Sequence, residues 1–240
     1  MLFRSDLDAA GNLVGDCAND VVGQIVIRGA TVFPGYLDEA GNAGPFLADG
    51  WLKTGDLGRR DAEGYFWLAG RAKDLIIRGG HNIDPKIIEE ALLKHPAVAL
   101  AAAVGRPDRH SGEVPVAYVQ CRPGQSASEA ELMQHATALI SERAAMPKSI
   151  QIIESIPLTA VGKVFKPALV WRETRTVFAN ALSSVEGIAA LTVEVGADPR
   201  HGMIAKVALR PEPGADREAI AAAVKAALGA FTTRYTLVSE

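Results

Sequence analysis

Two stretches of the chain, residues 97–154 and 188–238, carry the same order of signals, and that order limits the folds open to it. Each reads strand, strand, helix, strand, and each has an Arg-Pro at the end of its second strand, "CRPGQ" in one and "LRPEPG" in the other. A ββαβ run of this kind folds as a small sheet with a helix packed against it. In the first run "AVALAAAV" and "VPVAYVQC" are the strands, joined by the loop "GRPDRHSGE". Ser128 and Glu131 then form a capping box for a helix with Leu132, Met133, Ala136, Leu139 and Ile140 on one side, and "SIQIIES" closes the run. In the second, "IAALTVEVG" and "MIAKVALRPEPG" flank the loop "ADPRHG", and a helix from Asp216 to Ala230 leads into "YTLVSE". Internal duplication and convergence on a common pattern both fit this recurrence, and the chain is too short for a solenoid.

Ahead of the first run, "DPKIIEEALLKHP" predicts a helix with Asp84 as N-cap and Pro85 at its first position. Ile87, Ile88, Ala91 and Leu92 share one face, and Pro96 lies just beyond the end. The preceding "DLIIRGG" is a short strand, and a further helix from Pro167 to Leu182 links the two runs. The first seventy residues read as β-rich, with strands in "VVGQIVIRG" and "GYFWLAG" and a segment dense in Gly, Asp and Asn between them. Two or three strands on long loops make an odd complete domain, so the expectation is the tail of something larger.

Composition excludes several classes of function. A formal net charge of −3 without any Lys/Arg run argues against a nucleic-acid or anionic-membrane partner. His81, His95, His110, His135 and His201 form no ligand cluster, so no metal site is expected. The apolar stretch at 97–105 is too short to span a bilayer, so no transmembrane segment is expected, and "MLFRSDLDAAG" lacks a signal-peptide core. Cys17 and Cys121, far apart and without metal spacing, point to a reducing, cytoplasmic setting.

One lysine stands out. In "SIPLTAVGKVFKP", Lys163 follows a lone glycine in a short polar turn. A phosphate loop would need a second glycine five residues before Gly162 and a Ser or Thr after the lysine, but Pro157 and Val164 occupy those places. By itself the stretch reads as a surface turn. Two other segments precede it: "GWLKTGDLG" at 50–58 and "GRAKDLIIRGGHNIDPKIIEE" at 70–90.

In this order and at these separations, the three segments resemble the C-terminal half of the adenylate-forming enzymes, which include acyl-CoA synthetases, peptide-synthetase adenylation domains and firefly-type luciferases. The resemblance runs from Val21 to Trp171. It implies that Asp56 accepts the ATP ribose hydroxyls, that Arg71 contacts the nucleotide, and that Lys73 is the hinge of a mobile domain. Gly79 and Gly80 would lie beside the CoA pantetheine tunnel, while Glu89 and Glu90 would be structural. Lys163 would bridge the substrate carboxylate and the α-phosphate, offsetting the repulsion between two anions.

The resemblance has departures and gaps. Gln24 replaces a common Glu, and Asn82 stands where some acetate-activating members carry a CoA-contacting Arg. "RGGHNI" is instead similar to medium- and long-chain acyl-CoA synthetases and aryl-acid relatives. The substrates implied are ATP with Mg²⁺, coenzyme A and a carboxylic acid, with a fatty acid favoured. The family's Gly-rich phosphate loop and its "YxxTE" segment are absent from the 240 residues, so the expectation is a C-terminal fragment, inactive alone, lacking an N-terminal adenylation domain. A nucleotide- or protein-binding module without the chemistry and a carrier-protein-loading adenylation enzyme are the alternatives.

The fold class expected is α/β (α+β) in three pieces. Residues 1–72 are the β-rich end of the adenylation domain, and 73–170 a mobile domain with a three-stranded type of sheet. Residues 171–240 are an extra ββαβ unit, a candidate docking or homo-oligomer surface.

Overall fold

The computed structural model describes residues 2–7, 13–42, 44–47, 50–198 and 201–239. The chain is mixed α/β and divides into two compact units, Met1–Leu75 and Ile76–Glu240.

The first unit is a five-stranded antiparallel sheet. Its strands are β1 (Leu2–Leu7), β2 (Leu13–Asp16), β3 (Gly23–Ile27), β4 (Leu52–Arg60) and β5 (Phe66–Arg71), in the order β2-β1-β3-β4-β5. Ile25 and Val26 of β3 are buried at its centre. Five strands replace the two or three expected. The largest difference is β4, since "LKTGDLGRR" is a nine-residue strand and not a run of turns. Its glycines serve other ends. Gly58 allows a close approach, because a Cβ there would stand 2.8 Å from Ile25 Cδ1 and 2.9 Å from the Trp67 carbonyl oxygen.

The second unit opens with a hairpin of β6 (Ile76–Arg78) and β7 (His81–Ile83), whose buried Ile76 and Ile83 face each other across the ladder. Helix α1 (Pro85–Leu93) follows, capped by the Asp84 side chain on Lys86 N–H at 3.0 Å. Pro85, Ile88, Ala91 and Leu92 form its buried face. Ile87, expected on that face, is 37% exposed because it flanks the buried stripe.

Strands β8 (Val98–Asp108) and β9 (Gly112–Cys121) pair antiparallel, and α2 (Glu129–Leu139) leads to β10 (Ile150–Ile152), parallel to β9. The nine-residue loop expected between β8 and β9 shrinks to three residues, since Asp108 already pairs with Gly112. The Asp108 carboxylate holds that turn by accepting from His110 N–H at 3.0 Å and Ser111 N–H at 2.8 Å. The capping box of Ser128 and Glu131 is present, whereas Leu139, expected inside, is exposed in the last turn of α2.

β8, β9 and β10 form the body of the sheet, and β6–β7 joins at the start of β9, which makes five strands in place of three. Leu92, Leu132 and Ala136 pack on Val98, Ala103, Val119 and Ile150 to form its main core. A second cluster joins Ala102, Val104, Val116 and Tyr118 to Ile156 and Leu169. Both faces of β8 and β9 are therefore covered, which explains why these strands read as unbroken apolar runs.

Helix α3 (Lys166–Leu182) belongs to two cores. Leu169 packs in that second cluster, while Phe178 and Leu182 pack under a separate sheet. That sheet consists of β11 (Ile188–Asp198), β12 (Gly202–Pro211) and β13 (Tyr235–Ser239), with α4 (Arg217–Leu228) covering it through Ile220, Val224 and Leu228. The recurrence read from the sequence is a recurrence of fold. β11 and β12 are antiparallel strands of 11 and 10 residues, as are β8 and β9, and in each run the last strand is parallel to the second.

The first half of α3 is also fixed by charge. Glu173 is 2% exposed and accepts from Arg106 Nε at 2.5 Å, from Gln151 Nε2 at 2.9 Å and from the Tyr118 hydroxyl. Arg106 also donates to Ser149 Oγ at 3.0 Å. Burial first, and then the bond to Glu173, push the Tyr118 phenol far above its ordinary range, so it remains a donor.

Candidate functional site

In the first unit the structure brings Asp56 and Arg71 together. They are cross-strand partners on β4 and β5, with Arg71 Nη1 3.0 Å from Asp56 Oδ1. A β-bulge aims them. Between the pairs Gln24–Leu57 and Val26–Lys53, β4 has more residues than β3, and Gly55 takes φ +79° to absorb the excess. Thr54 Oγ1 donates to the Ile25 carbonyl at 2.9 Å and accepts from Asp56 N–H at 3.0 Å, locking the bulge from inside. Ala72 N–H closes it from outside, on the Gly55 carbonyl at 2.9 Å. The ion pair is only partly covered, with side chains 33% and 59% exposed for Asp56 and Arg71. An acceptor and a forked donor side by side at the surface can bind vicinal hydroxyls and an anion. Lys73 is exposed in the turn after β5, two residues before the boundary at Leu75.

In the second unit, Gly79 and Gly80 form the tip of the β6–β7 hairpin. Their φ angles of +55° and +85°, between the paired Arg78 and His81, make a type I′ turn, which needs positive φ at both central residues. A Cβ at either would meet nothing within 4 Å, so in this structure backbone conformation is what calls for glycine. Gly79 N–H donates to the Ser111 carbonyl at 2.7 Å, which ties the tip to the β8–β9 turn.

Lys163 sits in a loop that is bonded to itself. Leu158 and Val164 form a bridge, Thr159 N–H donates to the Lys163 carbonyl at 2.7 Å, and Lys163 N–H donates to Thr159 Oγ1 at 3.1 Å. Gly162 at φ +78° turns the chain at the tip. The Lys163 ammonium is exposed and makes no ion pair among the described residues, so it is available to an anion. Three residues on, Lys166 Nζ reaches Glu89 Oε1 at 2.8 Å, and the same oxygen accepts from Ala103 N–H at 2.9 Å. Glu89 thus pins the base of the loop to α1 and β8.

Thr54, Thr159 and Lys166 escape a reading of the sequence, although a Thr two residues before Asp56 and four before Lys163 signals side-chain-to-backbone turns. Among the described residues no three His, Cys, Asp or Glu side chains gather as metal ligands, and no helix is long and apolar enough to cross a membrane.

Residues 87–163, which end on this lysine, match the family described as AMP-binding enzyme C-terminal domain. They belong to the AMP-binding enzyme C-terminal domain family. Over 160 residues the chain is 51% identical to marinolic acid–CoA ligase of Pseudoalteromonas sp. (strain SANK 73390), covering 67% of itself and 24% of that protein. It is 39% identical over 152 residues to a long-chain-fatty-acid–CoA ligase of Bacillus subtilis, covering 63% of itself and 27% of the relative. Among solved structures, ATP-bound MatB from Rhodopseudomonas palustris superposes with a TM-score of 0.63 at 31% identity, over 71% of this chain and 33% of that one. The o-succinylbenzoate CoA synthetase of Bacillus subtilis, in complex with its acyl-adenylate intermediate, gives 0.62 at 34%, over 69% and 33%. The chain thus has acid–CoA ligases as relatives, and it spans about a quarter of the length of those it matches.

Proposed function

We propose that the chain is the C-terminal part of an ATP-dependent acid–CoA ligase acting on a fatty or related acid, and that it needs an adenylation domain to turn over. The observation that carries this reading is Lys163, exposed and without an ion pair among the described residues, at the tip of a self-bonded loop and at the end of the matched domain. In the first half-reaction a substrate carboxylate oxygen attacks the α-phosphorus of ATP and pyrophosphate leaves. Lys163 lies against both anions and stabilises the charge of the transition state. Asp56 holds the ribose hydroxyls and Arg71 the nucleotide, while Mg²⁺ accompanies the ATP phosphates. In the second half-reaction the CoA thiol, losing its proton, attacks the acyl carbon beside the Gly79–Gly80 hairpin, and AMP leaves. Lys73 is the pivot between the two poses. Two cysteines, Cys17 and Cys121, far apart in sequence and without metal spacing, suit a cytoplasmic setting.

Lys163→Ala tests this in the enzyme with its adenylation domain present. Acid-dependent ATP–pyrophosphate exchange falls about 10²–10³-fold, while thioester formation from supplied acyl-adenylate is retained. Equal loss of both steps would remove Lys163 from adenylation. The chain alone gives no exchange, and exchange without the adenylation domain would overturn the half-enzyme reading.

A further inference from the structure

The hairpin that carries Gly79 and Gly80 has little to hold it. Its strands are three residues long, and its backbone meets the sheet at the ladder pair Arg78–Gly112 and, at the tip, through Gly79 N–H on the Ser111 carbonyl at 2.7 Å. Hairpins of this size are marginal without added contacts. Ile76 and Ile83 bury its base, and Arg78 Nη1 reaches the Ala144 carbonyl at 2.8 Å. Between the base and that ladder pair, a side chain supplies a further hold. Glu113, on the second residue of β9, accepts from Ile77 N–H at 2.9 Å.

The placing of that carboxylate is costly. Glu113 is half-buried with no Lys or Arg paired to it among the described residues, and burial raises its pKa against the single opposing Ile77 N–H. The neighbouring strand gives up a side chain to admit it. At Gly105 in β8 a Cβ would stand 2.5 Å from Glu113 Oε2, and Gly105 needs no left-handed φ to explain its glycine. Two positions on adjacent strands are therefore committed to holding one amide of the hairpin.

We propose that Glu113 is a positioning residue for the thiol-transfer step, fixing the Gly79–Gly80 hairpin through Ile77 N–H in a notch kept open by Gly105. This deepens the ligase reading and rests on it. The Lys163 loop has its own anchor in Glu89 and Lys166, so losing Glu113 leaves adenylation in place. Glu113 touches no reacting atom. It sets where the hairpin stands when thiol and acyl-adenylate meet.

The experiment compares wild type, Glu113→Ala and Gly105→Ala in the enzyme with its adenylation domain. Three readouts are taken: ATP–pyrophosphate exchange, thioester formation from supplied acyl-adenylate and CoA, and hydrogen exchange of peptide 76–83. Both variants lose about tenfold or more in thioester formation, the scale of one charge-assisted hydrogen bond, and pyrophosphate exchange stays within about twofold. Peptide 76–83 exchanges faster in both. Gly105→Ala is informative because it displaces an intact Glu113. Glu113→Gln, which keeps an acceptor oxygen, restores most of the thioester rate. Equal loss of both half-reactions, or unchanged protection of 76–83, would overturn the proposal. A wild type that performs neither half-reaction would instead overturn the ligase reading, and this inference with it.

Discussion

Glu173 offers a severe test of how the Lys163 loop is supported, because its contribution can be worked out from its partners. Glu173→Ala removes an acceptor from Arg106, Gln151 and Tyr118 together. Two bonds to neutral donors at about 1 kcal/mol each and one charge-assisted bond at about 1.5–3 kcal/mol sum to roughly 3.5–5 kcal/mol. Arg106 keeps 29% of its side-chain surface in water and retains Ser149, so part of its hydration returns on mutation. The expected loss is therefore at the low end for breaking a buried pair, about 3 kcal/mol. For a unit of this size that lowers the melting midpoint by about 6–12 °C. Differential scanning calorimetry of the whole chain reads it directly. Tyr118→Phe alone costs about 1 kcal/mol, and most of that cost disappears in the Glu173→Ala background. A Glu173→Ala protein melting within about 2 °C of wild type would refute the reasoning, since a carboxylate worth so little cannot be what fixes α3.

Other outcomes are as specific. Gly80→Ala forces a Cβ into a left-handed turn and costs about 1–2 kcal/mol without any clash, seen as a shift in urea midpoint and not in slope. Asp56→Asn in the enzyme with its adenylation domain raises KM for ATP by about tenfold and leaves the melting temperature unchanged, because the bulge is locked by Thr54 and not by the carboxylate. Asp108 carries a pH dependence. Burial opposes its charge, but the N–H groups of Ser111 and His110 outweigh that and hold its pKa below the ordinary 3.8. Its contribution is present above that value and fades as pH falls through the lower folded pKa. The gap between wild type and Asp108→Ala, about 1 kcal/mol at neutral pH for a partly buried carboxylate, therefore closes in acid denaturation below about pH 4.

Where the chain declares its structure locally, the sequence is a good guide. Asp84-Pro85 starts α1, Ser128 with Glu131 starts α2, and each predicted strand of the second unit is found. The ββαβ recurrence is legible because strands covered on a face read as apolar runs whatever surrounds them. β4 is not legible. Gly55, Asp56 and Gly58 have the composition of a turn, and only the pairing with β3 and β5 shows a bulge and a close approach. Ile87 and Leu139 fail for a related reason, since periodicity gives a helix's apolar stripe but not where its margin meets water. Lys163 stands out by its glycine and its setting. Glu113 and Glu173 do not, because a carboxylate in a strand or helix reads as solvent-facing until the third dimension supplies its donors.

The two-core character of α3 has a consequence for how the chain can be shortened. Its seventeen residues extend for about 25 Å, and short helices in water draw most of their stability from packing. Cutting the chain after Leu182 would spare every motif residue yet strand Phe178 and Leu182 in solvent. The helix that begins three residues after Lys163 would then have to hold itself together from one end. By that measure the last sixty residues are no appendage, and damage at Ala205 or Val224 is damage to the footing of the lysine.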